Sequence, residues 1–183
     1  MIASPRSVLV IARTAPAGPE RVRECALVLA RADGGGLVGT IVVGVDGSAG
    51  AMAAAHFAVE EARIRKATLR LVAAWHVPAM AYGNAFAVGP GDLPEAMHEV
   101  ADGVIAQTLA ELGELGEITV ERHVEAGPAA QVLLAQAAGA ELLVVGSRGH
   151  GGFTELLLGS VSQQCAHHAP CPVVIVRAGA SPG

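Results

Sequence analysis

Lysine and aromatic residues are scarce in this sequence. Lys66 is its only lysine, and aromatic residues make up 3% of the 183 positions. A protein that stacks nucleic-acid bases needs an aromatic platform, and a broad nucleic-acid surface needs clustered positive charge. The formal net charge is −5. We therefore expect no nucleic-acid partner.

Long apolar segments and cysteine pairs are also lacking. The apolar run at residues 7–11 is short for a secretory signal and is followed by Arg13. Three cysteines are an odd number without the spacing of a disulfide framework. These features predict a cytoplasmic protein with reduced thiols and no membrane segment. The most apolar region, residues 126–146, is interrupted by residues that are costly in lipid, namely Pro128, Gln131, Gln136 and Glu141.

Hydrophobic residues, by contrast, reach 52% of the chain, which is enough for the core of one domain. From residue 40 onward the pattern alternates between strand and helix, which predicts an α/β sheet. Two strands are continuous apolar runs, typical of strands buried on both faces, whereas the run 118–124 alternates and predicts an edge strand. The expected strands are 41–45, 69–77, 118–124, 142–145 and 173–176, and the expected helices are 51–67, 94–115, 127–138 and 160–168.

Three segments divide the chain. Residues 1–39 form an N-terminal extension, which we expect to be weakly packed or flexible and to carry no site, with a helix at residues 20–33. A start of translation near residue 38 is the alternative interpretation. Residues 40–178 form the domain, and residues 179–183 form a tail.

The last strand ends the domain, so we expect it at an edge of the sheet. Residues 172–176 are fully apolar, and an exposed apolar edge pairs readily with another chain. We therefore predict a homodimer that forms through the C-terminal strand 172–177. The alternative is that the N-terminal extension covers the edge of this strand.

A glycine-rich turn follows the strand 142–145, and a second Gly-Ser pair begins a helix. Glycines let backbone N–H groups approach a ligand closely, and a helix N-terminus adds unpaired donors and a favourable dipole. Asp46 ends the strand 41–45, so both turns would face one crevice if these strands are neighbours. Asp46 could then accept a ribose hydroxyl, and Arg148 could bind phosphate oxygens.

Each of these residues also has a simpler interpretation. Asp46 fits a helix cap or a turn, and Ser160 begins the sequence S-x-x-Q of a capping box. The loop glycines Gly149, Gly151 and Gly152 could be ordinary loop residues without a ligand contact. The P-loop and dinucleotide motifs are absent from the sequence, since Lys66 lies within a predicted helix and the first turn has its glycines at intervals of three.

A second cluster carries metal-ligating residue types. Two cysteines and two histidines lie within seven residues, but the spacing C-x-H-H-x-x-C is not that of a common zinc site. We therefore predict no metal site in this segment, which contains Cys165, His167, His168 and Cys171.

The spacing Gly146-x2-Gly149-x9-Gly159-Ser160 resembles the ATP-binding motif of the universal stress protein family. The likeness extends over about residues 40–177 and includes the segment Val43-Gly44-Val45-Asp46-Gly47-Ser48. It implies a single domain with a flavodoxin-like (Rossmann-like) five-stranded parallel sheet and helices on both faces. It also implies dimerisation through the last strand.

The resemblance further implies which residues bind ATP. Residues of the first turn would contact the adenosine, Val77 the adenine, and the glycine-rich loop the phosphates. A divalent ion, Mg²⁺ or Mn²⁺, would accompany ATP, without an assignable protein ligand. The full set is Gly44, Val45, Asp46, Val77, Gly146, Ser147, Arg148, Gly149, His150, Gly151, Gly152, Gly159, Ser160 and Val161.

The predicted function is that of a stress-response or regulatory module controlled by nucleotide occupancy in the homodimer. No nucleophile–base pair is evident in the sequence, so we do not expect an enzyme. A slow ATPase or nucleotide-transfer enzyme using the same pocket is one alternative. A dimeric scaffold that binds no nucleotide is the other.

Overall fold

A computed structural model describes residues 9–13, 39–76, 92–149 and 158–178 of the chain. Within this part, the five strands and four helices expected after residue 39 are all present, with bounds shifted by at most three residues. The predicted helix at 20–33 and the tail 179–183 lie outside the described residues. The elements are β1 (Leu9–Arg13), β2 (Thr40–Gly44), α1 (Ala49–Arg65), β3 (Thr68–Trp75), α2 (Asp92–Leu112), β4 (Val120–Ala126), α3 (Ala129–Gln136), β5 (Leu142–Gly146), α4 (Ser160–His168) and β6 (Val173–Arg177).

All strand pairs are parallel, and the strand order is β1-β6-β5-β2-β3-β4. From β2 the chain adds β3 and β4 on one side, and then crosses to add β5 and β6 on the other. The order therefore reverses between β2 and β5, which is where ligands bind in sheets of this kind. The predicted five-stranded parallel fold is confirmed, and β1 extends it by a sixth strand.

The core has two layers, one on each face of the sheet, as predicted. Helices α1 and α2 pack on one face, where small side chains such as Ala54 and Ala58 bring α1 close to the strands. Helices α3 and α4 cover the other face with Leu133 and Cys165. Strands β2 and β5 are central, and the side chains of Ile41, Val42 and Val43 in β2 are fully buried. No helix in the described part of the chain is long and apolar enough to span a membrane.

The two edges of the sheet differ from each other. Strand β4 is an edge strand, as its alternating sequence predicted, and its polar side chains form ion pairs such as Arg70–Glu121 (2.7 Å) and Arg122–Asp102 (2.8 Å). The expectation that β6 lies at an edge is wrong. Strand β1 pairs with β6 along five residues, from Leu9 opposite Val173 to Arg13 opposite Arg177. The N-terminal extension therefore provides the edge strand beside β6.

Candidate functional site

The two turns singled out in the sequence lie side by side. Strands β2 and β5 are neighbours, with Ile41 opposite Leu142 and Val43 opposite Val144. In a parallel sheet the carboxyl ends of all strands meet at one edge. The turn after β2 and the loop after β5 therefore face one cleft, as predicted.

The turn after β2 is built by two short polar side chains. Asp46 accepts a hydrogen bond from the backbone N–H of Ser48 through Oδ1 (2.9 Å). Ser48 is the N-cap of α1, and its Oγ accepts from the N–H of Ala51 (3.2 Å). Asp46 thus forms the turn, and Ser48 caps the helix. The carboxylate of Asp46 is exposed at the mouth of the cleft.

The start of α1 packs directly against the loop after β5. A Cβ added at Gly146 would lie 2.6 Å from the carbonyl carbon of Gly50, and a Cβ added at Gly50 would overlap the carbonyl oxygen of Arg148. Only glycine allows two backbones to approach this closely. The contact explains Gly146 in the motif, and it identifies Gly50 as a residue of the site that the sequence did not single out.

Gly149 has a different constraint. A Cβ at this position would overlap Oδ2 of Asp46. Its backbone angle φ is not among the positive values found at other glycines. Glycine at position 149 is therefore explained by the lack of room for a side chain beside the Asp46 carboxylate, and not by backbone strain.

Ser147 anchors the loop to its surroundings. Its side chain is buried, and its N–H donates to the carbonyl of Val176 in β6 (2.7 Å). Its carbonyl accepts from the N–H of Gly159 (2.7 Å) and from the hydroxyl of Ser162 (3.0 Å). The Ser162 hydroxyl also lies 2.9 Å from the carbonyl of Gly159. These contacts fix the loop to both β6 and α4.

Helix α4 does not begin with the capping box that was the alternative interpretation of Ser160. Its N-cap is Gly159, and Ser160 is the first helical residue. Ser162, which is buried, bonds to the loop instead. No side chain of the described residues caps α4, and the same holds for α3, whose N-cap is Pro128. The first-turn N–H groups of both helices are therefore not capped by a side chain of the described residues.

A cleft joins these parts. Its volume is about 100 Å³ as formed by the described residues. Seven of the fourteen predicted residues line it, namely Gly44, Val45, Asp46, Gly146, Arg148, Gly149 and Val161. Ser147, Gly159 and Ser160 lie next to it but do not line it. Val77, His150, Gly151 and Gly152 lie outside the described residues.

The cleft also has an apolar wall that was not predicted. Val72 and Ala74 of β3 and Leu133 of α3 contribute to it, and Ala129 lies at the start of α3. The carboxyl end of β3 could have been placed here from its position next to β2. The part played by α3 depends on how that helix crosses the sheet, which the sequence pattern does not specify.

Comparison with known proteins identifies the family. The model of the "Universal stress protein family" matches residues 38–177, a range that contains all the cleft residues. The chain belongs to the universal stress protein family. A universal stress protein of Mycolicibacterium smegmatis is 37% identical over 144 residues, and one of Mycobacterium tuberculosis is 35% identical over 141 residues.

The match with these relatives is partial. It covers 75% of this universal stress protein but only 45% and 48% of the respective relatives. The chain thus spans about half the length of the curated relatives it matches.

Solved structures show the same fold. UspA from Lactobacillus plantarum superposes with a TM-score of 0.63 at 21% identity, covering 76% of this chain and 97% of UspA. A universal stress protein crystallised in complex with cAMP gives 0.55 at 26% identity, covering 77% and 98%. The five-stranded fold with helices on both faces is therefore that of the family.

The cysteine and histidine cluster of this universal stress protein does not converge on one point. Cys165 of α4 and Cys171, which lies just before β6, are buried in the core, whereas His167 and His168 are exposed. Burial raises the pKa of each thiol from 9.0 to about 11, and for Cys165 the proximity of Cys171 adds to it. In the described part of the chain, no three His, Cys, Asp or Glu residues are grouped so that they could hold a metal ion.

Proposed function

We propose that this universal stress protein binds ATP in the cleft and that nucleotide occupancy is its regulatory signal. The observation that carries the proposal is the start of α4, which no side chain of the described residues caps and which adjoins the loop Gly146–Gly149. Helix starts of this kind bind phosphate through their N–H groups and dipole. The proposed phosphate site consists of Arg148, Gly149 and the first turn of α4.

The proposed adenosine side is the opposite part of the cleft. The exposed Asp46 carboxylate keeps oxygen lone pairs that can accept hydrogen bonds from a ribose. The wall formed by Val72, Ala74 and Leu133 is apolar and suits the face of a base. A universal stress protein of similar fold has been crystallised with cAMP, which is also an adenine nucleotide. Val77 remains our candidate for the adenine contact.

A metal ion enters this proposal with the nucleotide. Phosphate oxygens and water supply most ligands of Mg²⁺ in nucleotide sites, and Mn²⁺ accepts the same oxygen ligands. Mg²⁺ or Mn²⁺ would therefore arrive with ATP without needing a preformed protein site. The homodimer through residues 172–177 and a cytoplasmic location are also part of the proposal. This dimer requires β1 to leave β6, because β1 pairs along the edge of β6 through which the two copies would pair.

Binding is favoured over turnover by the residues that are present. Among the described residues that line the cleft, Asp46 is the one carboxylate, and none is histidine, cysteine or lysine. A histidine, cysteine or lysine that could act as a general base is thus not found among them. We infer a nucleotide-occupied module, with slow ATP hydrolysis as the alternative.

Nucleotide binding is tested directly. The purified protein is denatured, the released small molecules are separated by ion-exchange chromatography, and the protein is titrated calorimetrically with ATP, ADP, adenosine and cAMP. ATP bound in stoichiometric amount and intact after hours supports the proposal. Accumulation of ADP would instead favour the slow ATPase. No binding at millimolar ATP or cAMP would favour the nucleotide-free scaffold.

A pair of arginine variants locates the phosphate site. Arg148→Ala should weaken ATP binding about 10- to 100-fold, since hydrogen bonds to charged groups contribute about 1.5–3 kcal/mol, and should leave adenosine binding unchanged. Arg122→Ala is the matched control, because Arg122 lies on β4 and pairs with Asp102. Equal ATP affinity in both variants would contradict the assignment of Arg148.

A further inference from the structure

The edge of β6 holds a strand of this chain's own N-terminal extension. Residues 173–176 are almost fully buried, and their strand pairs with β5 on one side and with β1 on the other. An apolar strand of this kind needs a partner on both sides, since an open edge would pair with other chains. The structure meets this need within a single copy of the chain.

We propose that β1 occupies the surface through which two copies of this chain pair, and that displacing β1 converts a monomer into a dimer. The occupant that replaces β1 is β6 of a second copy. Two identical strands can pair antiparallel about a twofold axis and satisfy both edges at once. This inference deepens the homodimer of the proposed function and rests on it for the role of the dimer.

The structure gives two reasons why β1 can be displaced. First, within the described part of the chain, β1 is only five residues long and pairs only with β6. Second, among the described elements, β6 is the only one with which β1 makes more than marginal contact, whereas β6 itself also contacts α1 and α4. Losing β1 therefore leaves the remaining five strands and their helices intact.

The covalent link between β1 and the rest of the chain favours the monomer in which β1 pairs with β6. Residues 14–39 join β1 to β2, and a strand attached through a link competes at an effective concentration of about millimolar. If β1 and the β6 strand of a second copy pair equally well with β6, a second copy at micromolar concentration is then a roughly thousandfold weaker competitor than β1. A modification, partner or cleavage that removes β1 would remove this advantage.

The first test disrupts β1 in the full chain. Val10→Pro with Ile11→Pro removes two adjacent N–H groups, so at least one hydrogen bond to β6 is lost whichever residue donates. Ala15→Pro with Ala17→Pro is the matched control outside β1. Masses are measured by light scattering during size exclusion, without nucleotide. We expect a dimer for the β1 variant and monomers for the parent and the control. A dimeric parent, or a β1 variant that is a folded monomer, would overturn the inference.

The second test does not depend on how the proline variant folds. Ala12→Cys with Val176→Cys places two cysteines at facing positions of β1 and β6, where a disulfide would hold β1 in place. Sedimentation equilibrium up to millimolar protein should show dimerisation of the reduced form and none of the oxidised form. Identical behaviour of the two forms would contradict the inference. Because no nucleotide is present, failure of ATP binding would not alter either result.

Discussion

The carboxylate of Asp46 occupies the space in which a side chain at Gly149 would begin. The two residues lie on different loops, one after β2 and one after β5, and a Cβ at position 149 would overlap Oδ2 of Asp46. The same carboxylate holds the turn before α1 through Oδ1. The shape of the cleft mouth therefore depends on both residues together.

The first prediction follows from this contact. Gly149→Ala should displace the Asp46 carboxylate and reduce ATP affinity at least tenfold, and Gly149→Val should abolish binding. The folded state should survive, because a terminal carboxylate can rotate away. Calorimetric titration measures the affinity, and thermal unfolding without ligand measures the stability.

A double-mutant cycle tests the cause of that loss. In an Asp46→Ala background the obstructing carboxylate is gone, so Gly149→Ala should have little further effect on ATP affinity. Fully additive losses would show that the two positions act independently and would refute the explanation.

The second prediction concerns Gly50. Its added Cβ would meet the backbone carbonyl of Arg148, which cannot rotate away. Gly50→Ala should therefore lower the free energy of unfolding by about 1–3 kcal/mol, as overpacking does, and should weaken ATP binding by shifting the loop. Gly103→Ala is the control, because Gly103 also lies in a helix and its added Cβ would meet nothing within 4 Å. That variant should be stabilised by up to about 1 kcal/mol, and urea denaturation compares the two.

The third prediction separates size from charge at Gly159. An added Cβ there would make ordinary contacts, 3.5 Å from the carbonyl oxygen of Ser147 and 3.6 Å from the Cα of Arg148. Gly159→Ala should thus retain ATP binding, although the motif has glycine at this position. Gly159→Glu should abolish binding, since it places a carboxylate at the start of α4 where phosphate is expected. If Gly159→Ala also abolished binding, the glycine would have a role that its surroundings do not show.

The fourth prediction concerns stability at high pH. Burial holds the pKa of Cys165 and Cys171 at about 11, against 9.0 for an ordinary thiol. Well below pH 9 both thiols are protonated in the folded and the unfolded chain, so they add no pH dependence. Between about pH 9 and 11 the unfolded chain loses these protons first, and the free energy of unfolding should fall by up to about 1.4 kcal/mol per pH unit for each thiol.

Replacing the thiols identifies this contribution. Cys165→Ala with Cys171→Ala should lower stability at neutral pH, because buried volume is lost, but should flatten the decline above pH 9. Urea denaturation at pH 8, 9, 10 and 11 gives both quantities. An unchanged slope in the double variant would assign the decline to other groups.

Much of the fold was predictable because each element carries its own periodic signal. The apolar run 41–45 and the alternating run 118–124 predicted a buried strand and an edge strand, and both are confirmed. The position of β6 was not predictable in the same way. Its apolar sequence indicates that the edge must be covered, but it carries no signal for what covers it. The five residues of β1 are too short a run to specify pairing with a strand 164 positions later, from Leu9 to Val173.

A site residue was predictable where its amino-acid type and its place in the sequence pattern already indicate its role. Gly146, Gly149 and Asp46 could be selected because glycines after a strand and a carboxylate at a turn have recognisable uses. Gly50 and Ser162 could not, because their importance arises from contacts with the Arg148 and Ser147 carbonyls that exist only in the folded chain. Ser160 shows the opposite case: a local capping signal is present, but the N-cap is Gly159, and the predicted helix 160–168 is confirmed.

The cleft lies on the seam between the two halves of the sheet, and this position connects ligand binding to folding. The pairing of β2 with β5 joins residues roughly 100 positions apart, such as Ile41 and Leu142, and distant pairings of this kind are slow to form. Asp46 and Gly149 meet only once that seam has closed. A nucleotide bound across them would stabilise the closed state by mass action. Bound nucleotide would therefore slow the separation of the two halves of the sheet. It would protect the whole domain from proteolysis, as well as the loops that contact the nucleotide.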